Sequence, residues 1–107
     1  MQQFPCSYLG GDVELTDERE RHITATYPDL LPQYLPQMIE TLADPDQVRR
    51  STRMRDALLI ARQFKTIRGG KYVVVVAVTQ QDPKRNWIIT AYLARRLTGG
   101  ILVWQKT

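Results

Sequence analysis

The sequence predicts an α+β domain in which two N-terminal helices pack on a three- to five-stranded antiparallel sheet. Three observations carry that expectation. Helix signals run between Thr16 and Ala43, strand signals dominate from Gln47 onward, and turn residues punctuate the strands at meander spacing. A length of 107 residues fits one unit over 1–107, with its core at about 13–104.

Residues 1–14 read as an irregular lead-in or a short strand, turned at Gly10-Gly11. Thr16 is a good N-cap, and Asp17 and Glu18 suit the positive end of a helix dipole. A helix is expected from Asp17 to Thr26, stopped by Pro28. A second is expected from Gln33 to Ala43, where Leu35, Met38, Ile39 and Leu42 share one face. Pro36 belongs in its first turn, and Asp44-Pro45-Asp46 turns the chain out of it.

Strands then follow. Val48 to Ser51 is a short one, and Ala57 to Thr66 alternates Leu58, Ile60 and Phe64 against Leu59, Ala61 and Gln63. Arg68-Gly69-Gly70 makes a hairpin turn. Lys71 to Thr79 carries apolar residues on both faces, the mark of a central strand. Asn86 to Leu93 alternates Trp87, Ile89 and Ala91 against Ile88, Thr90 and Tyr92, and Ile101 to Trp104 closes the set.

Charge is unevenly distributed. Residues 1–48 hold nine acids and two bases, a net of −7; residues 49–107 hold two acids and thirteen bases, a net of +11. A basic half suits an anionic partner such as RNA or an acidic protein, although the acidic half folding over it would satisfy the same charges. The longest strongly apolar stretch, Tyr72 to Val78, is too short for a membrane span, so no membrane association is expected. The first residues lack the basic and apolar regions of a signal peptide, and the expected location is cytoplasmic. A lone Cys6 excludes an internal disulfide and a thiolate cluster.

Chemistry narrows similarly. One histidine is too few for a usual catalytic zinc site, and no phosphate-binding loop, dinucleotide fingerprint or nucleophile elbow is present. A site without metal or cofactor is expected. Metal-independent RNA cleavage is permitted, because it needs only cations on the phosphate and groups that move protons. His22 is the natural proton shuttle, since histidine changes charge near neutral pH. Arg50 and Arg53 would stabilise the phosphate, Lys71 would assist, and Thr90 and Tyr92 would hydrogen-bond it from one strand face. Arg49, Arg55, Arg95 and Arg96 would hold the flanking RNA. Each has a plainer reading: a helix histidine packed in place, a solvated arginine loop, strand residues chosen for packing.

From Val13 to about Leu102 the chain resembles a family of phage-associated predicted nucleases related to barnase, EndoU, the tRNase colicins and RelE. The residues that carry the resemblance are Val13-Glu14-Leu15-Thr16, Glu20-Arg21-His22-Ile23, Tyr27-Pro28-Asp29 and Ile39-Glu40-Thr41-Leu42. They continue with Pro45-Asp46-Gln47-Val48-Arg49-Arg50-Ser51, the Val73–Val78 strand and Ile89-Thr90-Ala91-Tyr92. The resemblance implies a four-stranded antiparallel sheet beside helices and a toxin-like, metal-free endoribonuclease, with an acidic antitoxin or inhibitor protein as a possible partner. His22 falls on the family's helix histidine, and Tyr27 stands where members often carry a second one. The alternatives are the same fold with a degenerate site that binds RNA or an acidic protein, and an accessory domain that self-associates through its charge asymmetry.

The basic half generates a test. If about four phosphates are neutralised on single-stranded RNA, log affinity falls against log salt with a slope of roughly −3. Filter binding over a salt series measures it, and a flat dependence contradicts the electrostatic reading.

Overall fold

The computed structural model describes residues 1–107. Strand signals are realised more widely than the sequence suggests. β1 (Gln2–Cys6) and β2 (Gly11–Leu15) form a hairpin before α1 (Asp17–Thr26) and α2 (Leu35–Ala43). Then come β3 (Gln47–Arg50), β4 (Ala57–Gln63), β5 (Tyr72–Gln81), β6 (Lys84–Ala94) and β7 (Ile101–Gln105). All seven strands join one sheet in the order β1-β2-β6-β5-β4-β3-β7.

The expected two helices on a three- to five-stranded antiparallel sheet are therefore corrected to a seven-stranded mixed sheet with two short helices. The difference lies mainly at the N-terminus. Phe4 and Cys6 alternate inward, as do Val13 and Leu15, and Phe4 pairs with Val13. That period of two is real, but only two inward residues per strand carry it. The hairpin is stabilised by a third strand, β6, which it meets in parallel at Glu14 and Trp87.

Local chemistry accounts for the helices. The Thr16 hydroxyl accepts from the Arg19 amide at 3.2 Å, and α1 stops at Tyr27, before Pro28. α1 buries only Ile23, so it is an amphipathic cover rather than a core helix. α2 has Pro36 in its first turn and buries Met38, Thr41 and Leu42. The Thr41 hydroxyl donates to the Gln37 carbonyl at 2.7 Å, which satisfies it away from water.

β5 pairs along its length with β4 and β6, both antiparallel. Its alternate residues Val73, Val75 and Ala77 join Val48, Ile60, Ile88 and Ala91 in the core beneath α2. Val74 and Val76 point to the other face, where Leu59 and Tyr92 are their neighbours on β4 and β6. A bulge at Ile89 shifts the β5–β6 register between Val76 and Ala77.

Four strand-to-strand steps separate β6 from β7, which run parallel. That is about 19 Å across the sheet. Residues 95–100 bridge it, bending at Arg95-Arg96 and again at Gly99-Gly100. The connection is a strap over the face opposite α2, with Leu97, Thr98 and Gly99 against Leu59, Val74 and Tyr92. β7 forms the far edge, leaving Ile101 through Trp104 between 38% and 50% exposed. It is pinned by Lys106, whose ammonium meets Asp44 at 3.0 Å and whose amide donates to the Asp46 carbonyl.

Gly100 ends the strap with φ +77, and a Cβ there would lie 2.6 Å from the Arg50 carbonyl oxygen. Gly99 faces open space. Gly100→Ala is expected to lower stability by about 1–3 kcal/mol or more, and Gly99→Ala to stay near neutral. Urea denaturation of the two variants measures the difference, and equal midpoints contradict the strap geometry.

Candidate functional site

The strap turns the open sheet face into a groove. Its floor is Leu59 and Val74, apolar because β4 and β5 present alternate residues on this side. β3 contributes Arg49 and β6 contributes Tyr92, while the strap adds Arg96 and Thr98. A cavity of about 120 Å³ lies between them. It continues into a second of about 320 Å³, which shares Leu59, Tyr92, Thr98 and Gly99 and is closed by Ser51, Thr52 and Arg53.

Ser51 shapes the β3–β4 loop, its hydroxyl accepting from the Arg53 amide at 3.2 Å and the Met54 amide at 3.0 Å. Arg49 has two tasks. Its Nε donates to the Gly99 carbonyl at 2.7 Å and one terminal nitrogen donates to Gln47 Oε1 at 2.8 Å. The first bond ties the strap down, and the remaining N–H donors stay available to the groove. Arg53 and Arg96 are exposed, and no ion pair engages Arg49, Arg53 or Arg96. The groove is lined by three guanidinium groups and no carboxylate. Its positive charge is uncompensated, so it suits an anion with several acceptor oxygens.

Tyr92 sits where the two cavities meet, and Tyr27, just past the end of α1, stands 5.9 Å from it between ring centres. Burial pushes the Tyr92 phenol above its usual titration range, and Tyr27 adds to the effect. At neutral pH it is a protonated phenol in the wall that both cavities share.

The sequence-derived candidates divide. Arg49, Arg53, Arg96 and Tyr92 come together in the groove. Thr90 shares the Tyr92 face, but its hydroxyl is sealed from solvent without a partner. Arg50 falls on the opposite side of the sheet, because consecutive strand residues alternate and Arg49 takes the groove side. Lys71 lies in the β4–β5 turn, at the far end of those strands from Arg53. Arg95 is exposed at the start of the strap, outside the lining. His22 is exposed on α1, one turn on from Arg19, and does not line the groove. Arg55 lines a separate depression beside Trp87, together with Arg19.

Arg19 and the strap residues Leu97 and Thr98 are what sequence reasoning missed. By sequence, Ala94 to Thr98 reads as a short helical or irregular segment ended by Gly99-Gly100, and nothing local in it indicates a crossing of the sheet. No three His, Cys, Asp or Glu side chains cluster as a cation site. No helix is long and apolar enough to cross a membrane. No family model, no curated protein and no solved structure matches this chain.

The Tyr92 phenol generates a pH test. Because burial raises its folded-state pKa, its contribution to stability is complete below about pH 10, its unfolded value. That contribution is lost as pH rises through the folded-state value. Urea midpoints are expected to fall more between neutral and strongly alkaline pH in the wild type than in Tyr92→Phe. Parallel curves contradict a buried phenol at the groove.

Proposed function

We propose that the groove binds single-stranded RNA and that the protein is a metal-independent endoribonuclease. The observation that carries the reading is the convergence of Arg49, Arg53, Arg96 and Tyr92 around one concave, acid-free surface. Guanidinium groups match the acceptor geometry of phosphate and bind two of its oxygens at once.

In the proposed reaction the substrate supplies its own nucleophile. The 2′-oxygen bonds to the adjacent phosphorus, the P–O5′ bond breaks, a proton leaves the 2′-hydroxyl and one reaches the departing 5′-oxygen. The products are a 2′,3′-cyclic phosphate and a 5′-hydroxyl. Arg53 and Arg96 stabilise the charge that builds on the non-bridging oxygens, and the neutral Tyr92 phenol donates to one of them. His22, the chain's one imidazole, lies off the groove lining, so it moves the proton only for a strand that runs from the groove onto the exposed side of α1.

A second reading has its own support. His22 lies off the groove lining and the Thr90 hydroxyl is sealed, which favours a module that holds RNA without cutting it. An acidic inhibitor protein would compete for the same arginines under either reading.

Incubation with RNA in EDTA separates the two. The nuclease reading expects cyclic-phosphate ends, no cleavage of DNA, and a rate about 100-fold lower in His22→Ala with RNA affinity unchanged. Arg53→Ala is expected to weaken both affinity and rate. Binding without cleavage establishes the second reading, and 5′-phosphate products or equal activity on DNA overturn the mechanism.

A further inference from the structure

A second depression lies along the same strands. β5 and β6 supply Val74 and Tyr92 to the groove, and further along they supply Val78, Trp87 and Ile89 to this depression. The β3–β4 loop divides the two, sending Arg53 one way and Met54, Arg55 and Asp56 the other. Arg19 of α1 closes the far rim. Trp87 pairs with Val78 and Tyr92 with Val74, so about 13 Å of strand separates them on one sheet face.

The chemistry of the depression differs from that of the groove. Its floor is an indole with two aliphatic side chains, and its rim carries two arginines against one carboxylate, Asp56. Neither Arg19 nor Arg55 is ion-paired. Arg85 already lies 4.9 Å over the Trp87 ring and is held there by Glu14 at 3.0 Å. Its guanidinium therefore covers one face of the indole, and the side of Trp87 that lines the depression is the one left for a base. Flat π surfaces next to unpaired cations suit a flat heterocycle carrying a phosphate.

We infer that this depression is a nucleobase subsite, in which Trp87 stacks an unpaired base of the RNA whose backbone lies in the Arg49–Arg53–Arg96 groove. The inference rests on the proposed RNA reading. Arg55 and Arg19 hold the phosphate next to the stacked base, and the β3–β4 loop passes between base and backbone sites. Affinity then depends on bases as well as on charge, and a single strand is selected over a duplex, whose bases are already stacked.

Trp87 reports on the subsite directly once the second tryptophan is removed by Trp104→Phe. A short oligoribonucleotide is expected to quench Trp87 emission, whereas inorganic polyphosphate, which carries charge without bases, is expected to bind and leave it unchanged. In the full chain, Trp87→Leu is expected to weaken oligoribonucleotide binding by about tenfold and polyphosphate binding not at all. Trp87→Phe retains an aromatic face and is expected to recover most of the loss, which separates stacking from misfolding. Oligoribonucleotide binding that Arg53→Ala weakens, with Trp87 emission and Trp87→Leu affinity unchanged, overturns the subsite and leaves the groove intact. Equal quenching by polyphosphate also overturns it. No oligoribonucleotide binding by the folded chain overturns the groove reading and the subsite together.

Discussion

β5 is apolar on both faces, and the rest of the structure follows from the need to cover it. Val73, Val75 and Ala77 on one side and Val74 and Val76 on the other are all at least nine-tenths buried. Neighbouring strands satisfy the β5 backbone but leave its side chains half covered. α2 covers one side and α1 guards the adjoining part of β6. On the other side α1 reaches only the β6 margin, through Arg19 and the following Tyr27, so Leu59, Tyr92 and the strap do most of the work. The groove exists because that cover is narrow: a strap of six residues shields the valines and leaves open space on its flanks.

The same economy explains why Arg49 is both structural and functional. A segment that crosses a sheet face forms no ladder with the strands beneath it, so its carbonyl groups need side-chain donors. Arg49 supplies one to Gly99. A guanidinium used this way is fixed in position before any ligand arrives, which lowers the entropy lost on binding. Arg53 is placed with similar thrift, since the Ser51 hydroxyl organises the turn that aims it. Positive charge in the groove is thus a by-product of how the open face is closed.

The acidic N-terminal half does not neutralise the groove. Glu14 takes Arg85, Asp44 takes Arg62 and Lys106, and Asp17 takes the amino terminus. These pairs sit at the start of α1, at the end of α2 and between β2 and β6, and none engages Arg49, Arg53 or Arg96. The half-and-half charge distribution therefore persists as a surface property, and the basic residues of the strap and the β3–β4 loop remain free for a partner.

Much was legible in the residues themselves. Thr16 and Pro28 bound the first helix, the Tyr72–Val78 run marked the central strand, and alternation around Ile60 and Tyr92 identified its partners. The basic character of the β3–β4 loop was equally plain. These depend on local propensity and on periods of two or 3.6 residues, which sequence carries directly. Tertiary structure alone decided the rest. It recruited the short β1–β2 hairpin through a parallel contact with β6, placed β7 beyond β3 and drew residues 95–100 across the open face. It also separated Arg49 from Arg50 and brought Arg19 beside Trp87. Each of these depends on which strands become neighbours, and partner choice is a non-local outcome of covering β5. No short window of sequence contains it, because the residues that meet are tens of positions apart and any of several registers satisfies their local patterns.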